Sequence, residues 1–426
     1  MLNRTIEPAI TDAVAFNLQL KPYEYYKLDN GVPVYVVDAG AQDVLMLEFV
    51  FDAGNNFEGK NIVAATTNFM LKNGTKQKNA FAINEHFEFY GAYLNRNCYN
   101  ETATVTLHTL SKYLPELLPV IAELFSECTF PEEELNIYKQ NQKQRLEVNL
   151  KKCDFVANRL IDEYIYGLHH PYGKYTSTID YDALTREDLE SFYKAYYLQG
   201  NCKIFIAGKL PSNIFEALNT YFGSLPFNQK TIQPVAHSIE ASIEKKFEII
   251  NDANGVQGSV RMARHFPNRH HPDFPKVQVL NNIFGGFFGS RLMANIREDK
   301  GYTYGIYSYL QNHVQQSAWM ISTEAGRDVC KATIEEVYKE MKLLQEEPVD
   351  TDELHLVKNY MMGSILADLD GPFQIMNRWK TYVLNNLNED YFYNSLQVIK
   401  TVTAEELQLL AKKYLNPEDF YELVVI

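Results

Sequence analysis

Residues 185–197, TREDLESFYKAYY, and residues 403–415, TAEELQLLAKKYL, are one helix written twice. In each, a threonine (Thr185, Thr403) is followed three residues later by an acid (Asp188, Glu406), and then by Leu189 or Leu407 and Tyr196 or Tyr414. A threonine hydroxyl accepts the backbone N–H three residues on, and the acid reaches back to the threonine's own N–H. This is a capping box, and the apolar spacing behind it predicts an amphipathic helix. Upstream, FPEEELNIYK (130–139) and PVDTDELHLVK (348–358) share Glu134, Leu135 and Lys139 with Glu353, Leu354 and Lys358. EFYGAYL (88–94) and EDKGYTY (298–304) share Glu88 and Gly91 with Glu298 and Gly301. Three matches in the same order make the chain an internal duplication, which fixes the fold before any single element is placed.

Each half alternates strand and helix patterns in the same order. VPVYVVD (32–38), VLMLEFVFDAG (44–54) and TATVTLHTL (102–110) are rich in β-branched and aromatic residues, with Asp29-Asn30-Gly31 as the turn before the first. A last strand follows each capping-box helix, CKIFIAG (202–208) in one half and FYELVVI (420–426) in the other. The expected class is α+β, two homologous halves, each a mostly antiparallel sheet covered by helices and together closing as a clamp around a cleft. SLPFNQKTIQPVAHSIEASIEKK (224–246), polar with two prolines, reads as the joint. The expected division is residues 1–230, a linker at 231–245, and residues 246–426.

With 426 residues the chain exceeds the roughly 250 to 300 at which single cores stop growing, in keeping with two domains. A hydrophobic fraction of 46% puts it among folded globular chains. The net charge of -14 argues against nucleic acid and anionic membranes as partners, since both demand a concentrated basic face. Five scattered cysteines (Cys98, Cys128, Cys153, Cys202, Cys330) form no close pair and are expected to be reduced thiols. No apolar run reaches the ~18 residues of a membrane span, and the start MLNRTIEPAITDAV has no signal-peptide core. A cytoplasmic location is expected, or a periplasmic one if a leader has been removed.

NIVAATTNFMLKNGT (61–75) and NNIFGGFFGSRLMANIREDKGYTYGIYS (281–308) bring a family into view. From about Tyr23 to Ile426 the chain resembles the pitrilysin/insulinase peptidases, with the LuxS/processing-peptidase-like metallohydrolase fold. In their active subunits the first half carries His-x-x-Glu-His on a helix ending shortly before Gly-Thr, and a distant glutamate completes the zinc site. Counting back from Gly74-Thr75, the histidine positions hold Ala65 and Phe69, and the general-base position holds Asn68. Catalytic zinc takes three N, O or S ligands and keeps a place for water; methyl and phenyl groups offer none, and asparagine cannot take water's proton at neutral pH. The distant glutamate corresponds to Glu147, to which a structural role is assigned. His169-His170, in GLHHPYGKYT, reads as a structural turn, and His270-His271, beside Pro272, as an exposed loop. No metal is expected on this chain.

In the second half the resemblance implies a substrate-binding pair, Arg297 and Tyr304, seven residues apart. A guanidinium offers fixed donors to a peptide carbonyl, and a phenol can donate to the oxyanion formed when water attacks it. The glycine-rich stretch Gly285-Gly286-Phe287-Phe288-Gly289 resembles a loop that contacts substrate in non-catalytic subunits. The expectation is a subunit inactive alone, binding no cofactor, that lends Arg297 and Tyr304 to a zinc peptidase site on a partner. The partner is a homologous subunit with the intact motif, giving a heterodimer, or a second copy of this chain; the ligand is a peptide. The competing reading is a non-enzymatic peptide-binding or scaffold protein of the same fold. An active peptidase with unforeseen ligands would need histidines from separate segments to converge.

Overall fold

The computed structural model describes residues 11–230, 232–233 and 235–426, so positions 231 and 234 of the expected linker lie outside the described residues. Contacts divide the chain into two compact units. One is residues 21–245 with 371–381; the other is residues 246–370 with 382–426 and the segment ending at Leu20.

The first unit holds β1 (Glu24–Lys27), β2 (Pro33–Asp38), β3 (Val44–Phe51), β4 (Tyr93–Cys98), β5 (Ala103–Leu110) and β6 (Cys202–Gly208). Its helices are α1 (Val63–Met70), α2 (Ala80–Phe89), α3 (Leu114–Ser126), α4 (Glu132–Asn149), α5 (Cys153–Tyr166), α6 (Thr178–Ala183), α7 (Arg186–Phe192) and α8 (Ile214–Phe222). The second unit holds β7 (Lys246–Ile249), β8 (Gln257–Phe266), β9 (Thr303–Asn312), β10 (Ser317–Gly326) and β11 (Tyr421–Val425). It also holds α9 (Phe274–Asn281), α10 (Cys330–Glu346), α11 (Thr351–Ala367), α13 (Glu389–Thr401) and α14 (Ala404–Tyr414); α12 (Pro372–Leu384) begins in the first unit.

The duplication is plain in the strand order. The first sheet runs β1-β2-β6-β3-β5-β4 and the second β7-β11-β8-β10-β9. The last strand of each half lies parallel to one neighbour (β6 to β2, the second strand of its half, and β11 to β7, the first of its half) and antiparallel to the other. The unit is thus the same apart from β1, and the fold is α+β with two homologous halves. β3 is buried almost throughout because it lies in mid-sheet with both faces covered. Leu45, Leu47, Phe49 and Phe51 enter the main core, where Phe49 meets Phe125 of α3 and Phe222 of α8 at 4.9 and 4.7 Å. Each such ring contributes about 1.5–3 kcal/mol by burial. On the opposite face Glu48 accepts from Thr106 (3.1 Å) and from Lys380 of α12 (2.7 Å).

Matching braces hold the two halves. Lys139 of α4 donates to the Leu184 carbonyl just before α7, and Lys358 of α11 to the Val402 carbonyl just before α14, both at 2.7 Å. The capping boxes form at Thr185/Asp188 and Thr403/Glu406, and each acid also meets a lysine, Lys60 at 2.5 Å and Lys276 at 2.6 Å. Glu134 accepts from Asn73, and Glu353 takes a two-pronged contact from Arg291, each of these bonds 2.8 Å. Gly91 (φ +59) and Gly301 (φ +67) turn the chain from a helix into the edge strand β4 or β9. The five cysteines form no disulfide with one another, and burial raises the Cys98 thiol to about 12. Among the described residues no helix is long and apolar enough to cross a membrane.

Candidate functional site

In the second unit α9 runs on into a π-helical turn, residues 282–286, which ends against β9. A Cβ on Gly285 would lie 2.7 Å from Ser308 Cβ and 2.9 Å from Leu292 Cδ1, and one on Gly286 3.0 Å from Asn281. These glycines are therefore a close-approach contact between helix and strand, which corrects the expectation of a loop at this point. Beneath them Asn281 and Ser308 exchange hydrogen bonds, and Trp319 donates its indole N–H to the Ser308 hydroxyl at 2.7 Å. Only Phe287 to Gly289 leave the helix. Phe287 stacks on Tyr360 of α11 at 4.5 Å, and Gly289 lets the chain turn over the Phe287 ring.

Phe288 is exposed, and the Arg297 guanidinium lies 4.5 Å from its ring centre. Arg297 Nε donates to the Tyr304 carbonyl at 3.0 Å, and its Nη1 is 3.7 Å from Glu298. This joins the end of the second π-helical segment, 293–299, to the start of β9. Tyr304 is 94% exposed. The structure thus sets the Arg297 guanidinium on the Phe288 ring and on the Tyr304 backbone, with the Tyr304 side chain open to solvent.

In the first unit Ala65, Asn68 and Phe69 share α1. Its start is fixed by Glu58, whose carboxylate accepts from Ile62 N–H (3.3 Å), Ala64 N–H (2.9 Å) and Lys174 (2.5 Å). This compensates a left-handed Ile62 (φ +66). Burial outweighs Lys174 and raises the Glu58 pKa. Asn68 is 2% exposed and donates to the Thr104 carbonyl at 3.2 Å, so its amide is spent within the core. Phe69 is 39% exposed; Tyr138 of α4 packs against its ring at 4.6 Å and the Arg96 guanidinium lies 5.0 Å from its centre. Glu147 is exposed near the end of α4, nine residues or roughly 13 Å along the axis from Tyr138. A methyl, a core amide and a ring faced by a cation do not fit zinc, and among the described residues no three His, Cys, Asp or Glu side chains converge for a metal.

The histidine pairs are held by the fold. His170 is buried, accepts the Tyr172 N–H at Nδ1 (3.1 Å) and stacks on Tyr166. His270 Nε2 meets the Asn385 carbonyl at 2.8 Å, and His271 Nδ1 accepts from Asp273 N–H at 3.1 Å. Sequence reasoning passed over Arg96, Tyr138 and Lys72, which come from β4, α4 and the turn just after α1. The one available signal was an arginine in NRN, directly after the Gly91 turn.

Two family profiles match the chain. The profile of Insulinase (Peptidase family M16) matches residues 37–170, and that of the Peptidase M16 inactive domain matches residues 183–361. An uncharacterized zinc protease of Bacillus subtilis, YmxG, is 23% identical over 361 residues, 83% of this chain and 86% of its own length. A crystal structure of a peptidase M16 inactive domain from Pseudomonas fluorescens superposes with a TM-score of 0.83 at 25% identity, covering 95% of this chain and 98% of that one. A mutant of the ferredoxin protease FusC, solved in complex with Arabidopsis ferredoxin, shares the fold with a TM-score of 0.75 at 13% identity, over 95% of this chain and 45% of that one. The two matched M16 segments, together covering most of the chain, and these relatives place the chain in the insulinase (M16) peptidase family.

Proposed function

We propose that this chain is the non-catalytic, peptide-binding subunit of a two-chain zinc peptidase, presenting Arg297 and Tyr304 to a site whose zinc a homologous partner carries. The observation that carries this reading is the Arg297–Phe288–Tyr304 cluster. Arg297 spends its Nε on the Tyr304 backbone, which aims the guanidinium and leaves the remaining donors for a peptide carbonyl. The exposed Tyr304 phenol is the type of donor that stabilises a developing oxyanion. Phe288 adds apolar surface for a neighbouring side chain. The side chains at 65, 68 and 69 support assigning zinc to another chain, and the ferredoxin complex of a fold relative supports polypeptide as the ligand class.

The test uses the purified chain alone, with metal analysis and binding of a fluorescent peptide. The expected result is no stoichiometric zinc, no cleavage, and peptide binding that weakens about tenfold in Arg297→Ala, the loss typical of one charge-assisted bond. One zinc per chain with cleavage, or binding indifferent to Arg297, would overturn it.

A further inference from the structure

The start of α3, the turn after β6 and α8 enclose a cavity of about 500 Å³ that lies wholly in the first unit. Leu114 and Leu118 of α3 are buried in its wall, and Leu210 and Ile214 carry the apolar lining round to α8. Small-molecule sites span roughly 300–1,000 Å³ and are mostly apolar, with a few polar groups that fix orientation. Along one face of α8, at helical spacing, stand Ile214, Ala217, Leu218 and Tyr221; the single methyl of Ala217 among longer side chains leaves the gap toward α3. The mouth is fixed by backbone, since the Ser111 N–H donates to the Asp43 carbonyl at 3.0 Å and the Lys209 N–H to the Val44 carbonyl at 3.1 Å. The strand, turn and helix leading into α10 repeat those leading into α3. Yet the cavity beside them takes in Glu248, Arg327, Asp328 and Lys331, so the apolar lining belongs to this half and not to the repeated fold.

The charged groups on the lining favour an anion. Lys112 and Lys209 set two ammonium groups against the single carboxylate of Asp43, which Lys209 meets at 2.7 Å. Both lysines are exposed, which puts them at the mouth, and Asn213 and Tyr221 add an amide and a phenol as further donors. In a chain whose net charge is -14, the lining thus holds a local excess of positive charge. An apolar interior behind a donor-rich, net-cationic mouth is complementary to an alkyl chain that ends in a carboxylate. We infer that this cavity binds a medium-chain fatty-acid anion, with its chain against Leu118 and Ala217 and its carboxylate at Lys112 and Lys209. The site shares no residue with the Arg297 cluster and stands apart from the peptide-binding reading above.

Isothermal titration of the full chain with decanoate tests it, beside 1-decanol and decyltrimethylammonium, each kept below micelle formation. One decanoate per chain is expected, held about tenfold more tightly than decanol, the worth of one charge-assisted contact. Ala217→Phe, which fills the gap, is expected to weaken decanoate by about tenfold or more. Lys112→Gln combined with Lys209→Gln is expected to bring decanoate down to the affinity of decanol and to leave decanol as before. This double variant changes exposed side chains alone and carries the test should Ala217→Phe fold poorly. Absence of decanoate binding, decyltrimethylammonium held as tightly as decanoate, or decanoate binding indifferent to either folded variant overturns the inference.

Discussion

The two halves share their braces and differ at their edge strands. In the second half the outer side of β9 is occupied from within: Arg297 takes the Tyr304 carbonyl, Met293 Sδ the Ile306 N–H and Asn281 the Ser308 carbonyl. Close packing of Gly285 on Ser308 makes this possible. In the first half β4 receives no such cover among the described residues, and the helix behind it presents Phe69 under Arg96. The duplication has kept the lysine braces, the capping boxes and the turn glycines, all of which secure backbone. The side chains on the helix that meets the edge strand have changed, and those decide chemistry. Fold and site therefore obey separate constraints within one chain.

The largest difference is expected at the polar contacts below these helices. Ser308→Ala strands the Trp319 indole N–H and the Asn281 oxygen in the core and should cost about 3 kcal/mol in chemical denaturation, whereas Asn68→Ala, which loses one bond, should cost about 1 kcal/mol. Equal losses would mean the two cores are closer than their side chains imply. Lys139→Met and Lys358→Met break the shared brace and should each cost about 1–2 kcal/mol, because each leaves a helix-terminal carbonyl unpaired. A neutral result in one half alone would show the brace has lapsed there. Gly91→Ala and Gly301→Ala meet open space but a left-handed backbone, so each should cost about 1 kcal/mol, read as matched drops in Tm.

The smallest effect concerns pH. The hydrogen bond from Lys276, with the Thr403 N–H second, lowers the Glu406 pKa. A depressed carboxylate contributes stability above its unfolded value, about 4.3, and loses it as pH falls through the lower folded value. Lys276→Met should thus be less stable than the wild type at pH 7, with the gap narrowing as pH falls below about 4.3. A gap that persists in acid would assign the effect to packing of the lysine stem.

Sequence made local features legible. A capping box lies within four residues, and the helix C-terminal glycines are fixed by their own backbone, so both could be read without tertiary knowledge. The strands containing Val34, Leu47, Val105, Ile204 and Leu423 were legible because β-branched and aromatic residues crowd them. Gly285 and Gly286 were misread because a glycine admitting a close contact and a glycine admitting a bend look identical in sequence. Arg96, Lys72 and Tyr138 escaped notice because only the folded chain brings β4, α1 and α4 together. The Lys380–Glu48 pair, spanning 332 residues, has no local signal at all.

The most direct test of the account mixes this chain with an M16 homologue that carries the intact His-x-x-Glu-His and follows cleavage of a fluorogenic peptide. The account predicts that neither this chain nor its Arg297→Ala and Tyr304→Phe variants cleave alone, that the wild-type mixture cleaves faster than the homologue by itself, and that both variants lose the gain. A mixture no faster than the homologue with every such partner tried, or a gain that survives Arg297→Ala, would contradict the shared site and leave a peptide-binding scaffold in its place.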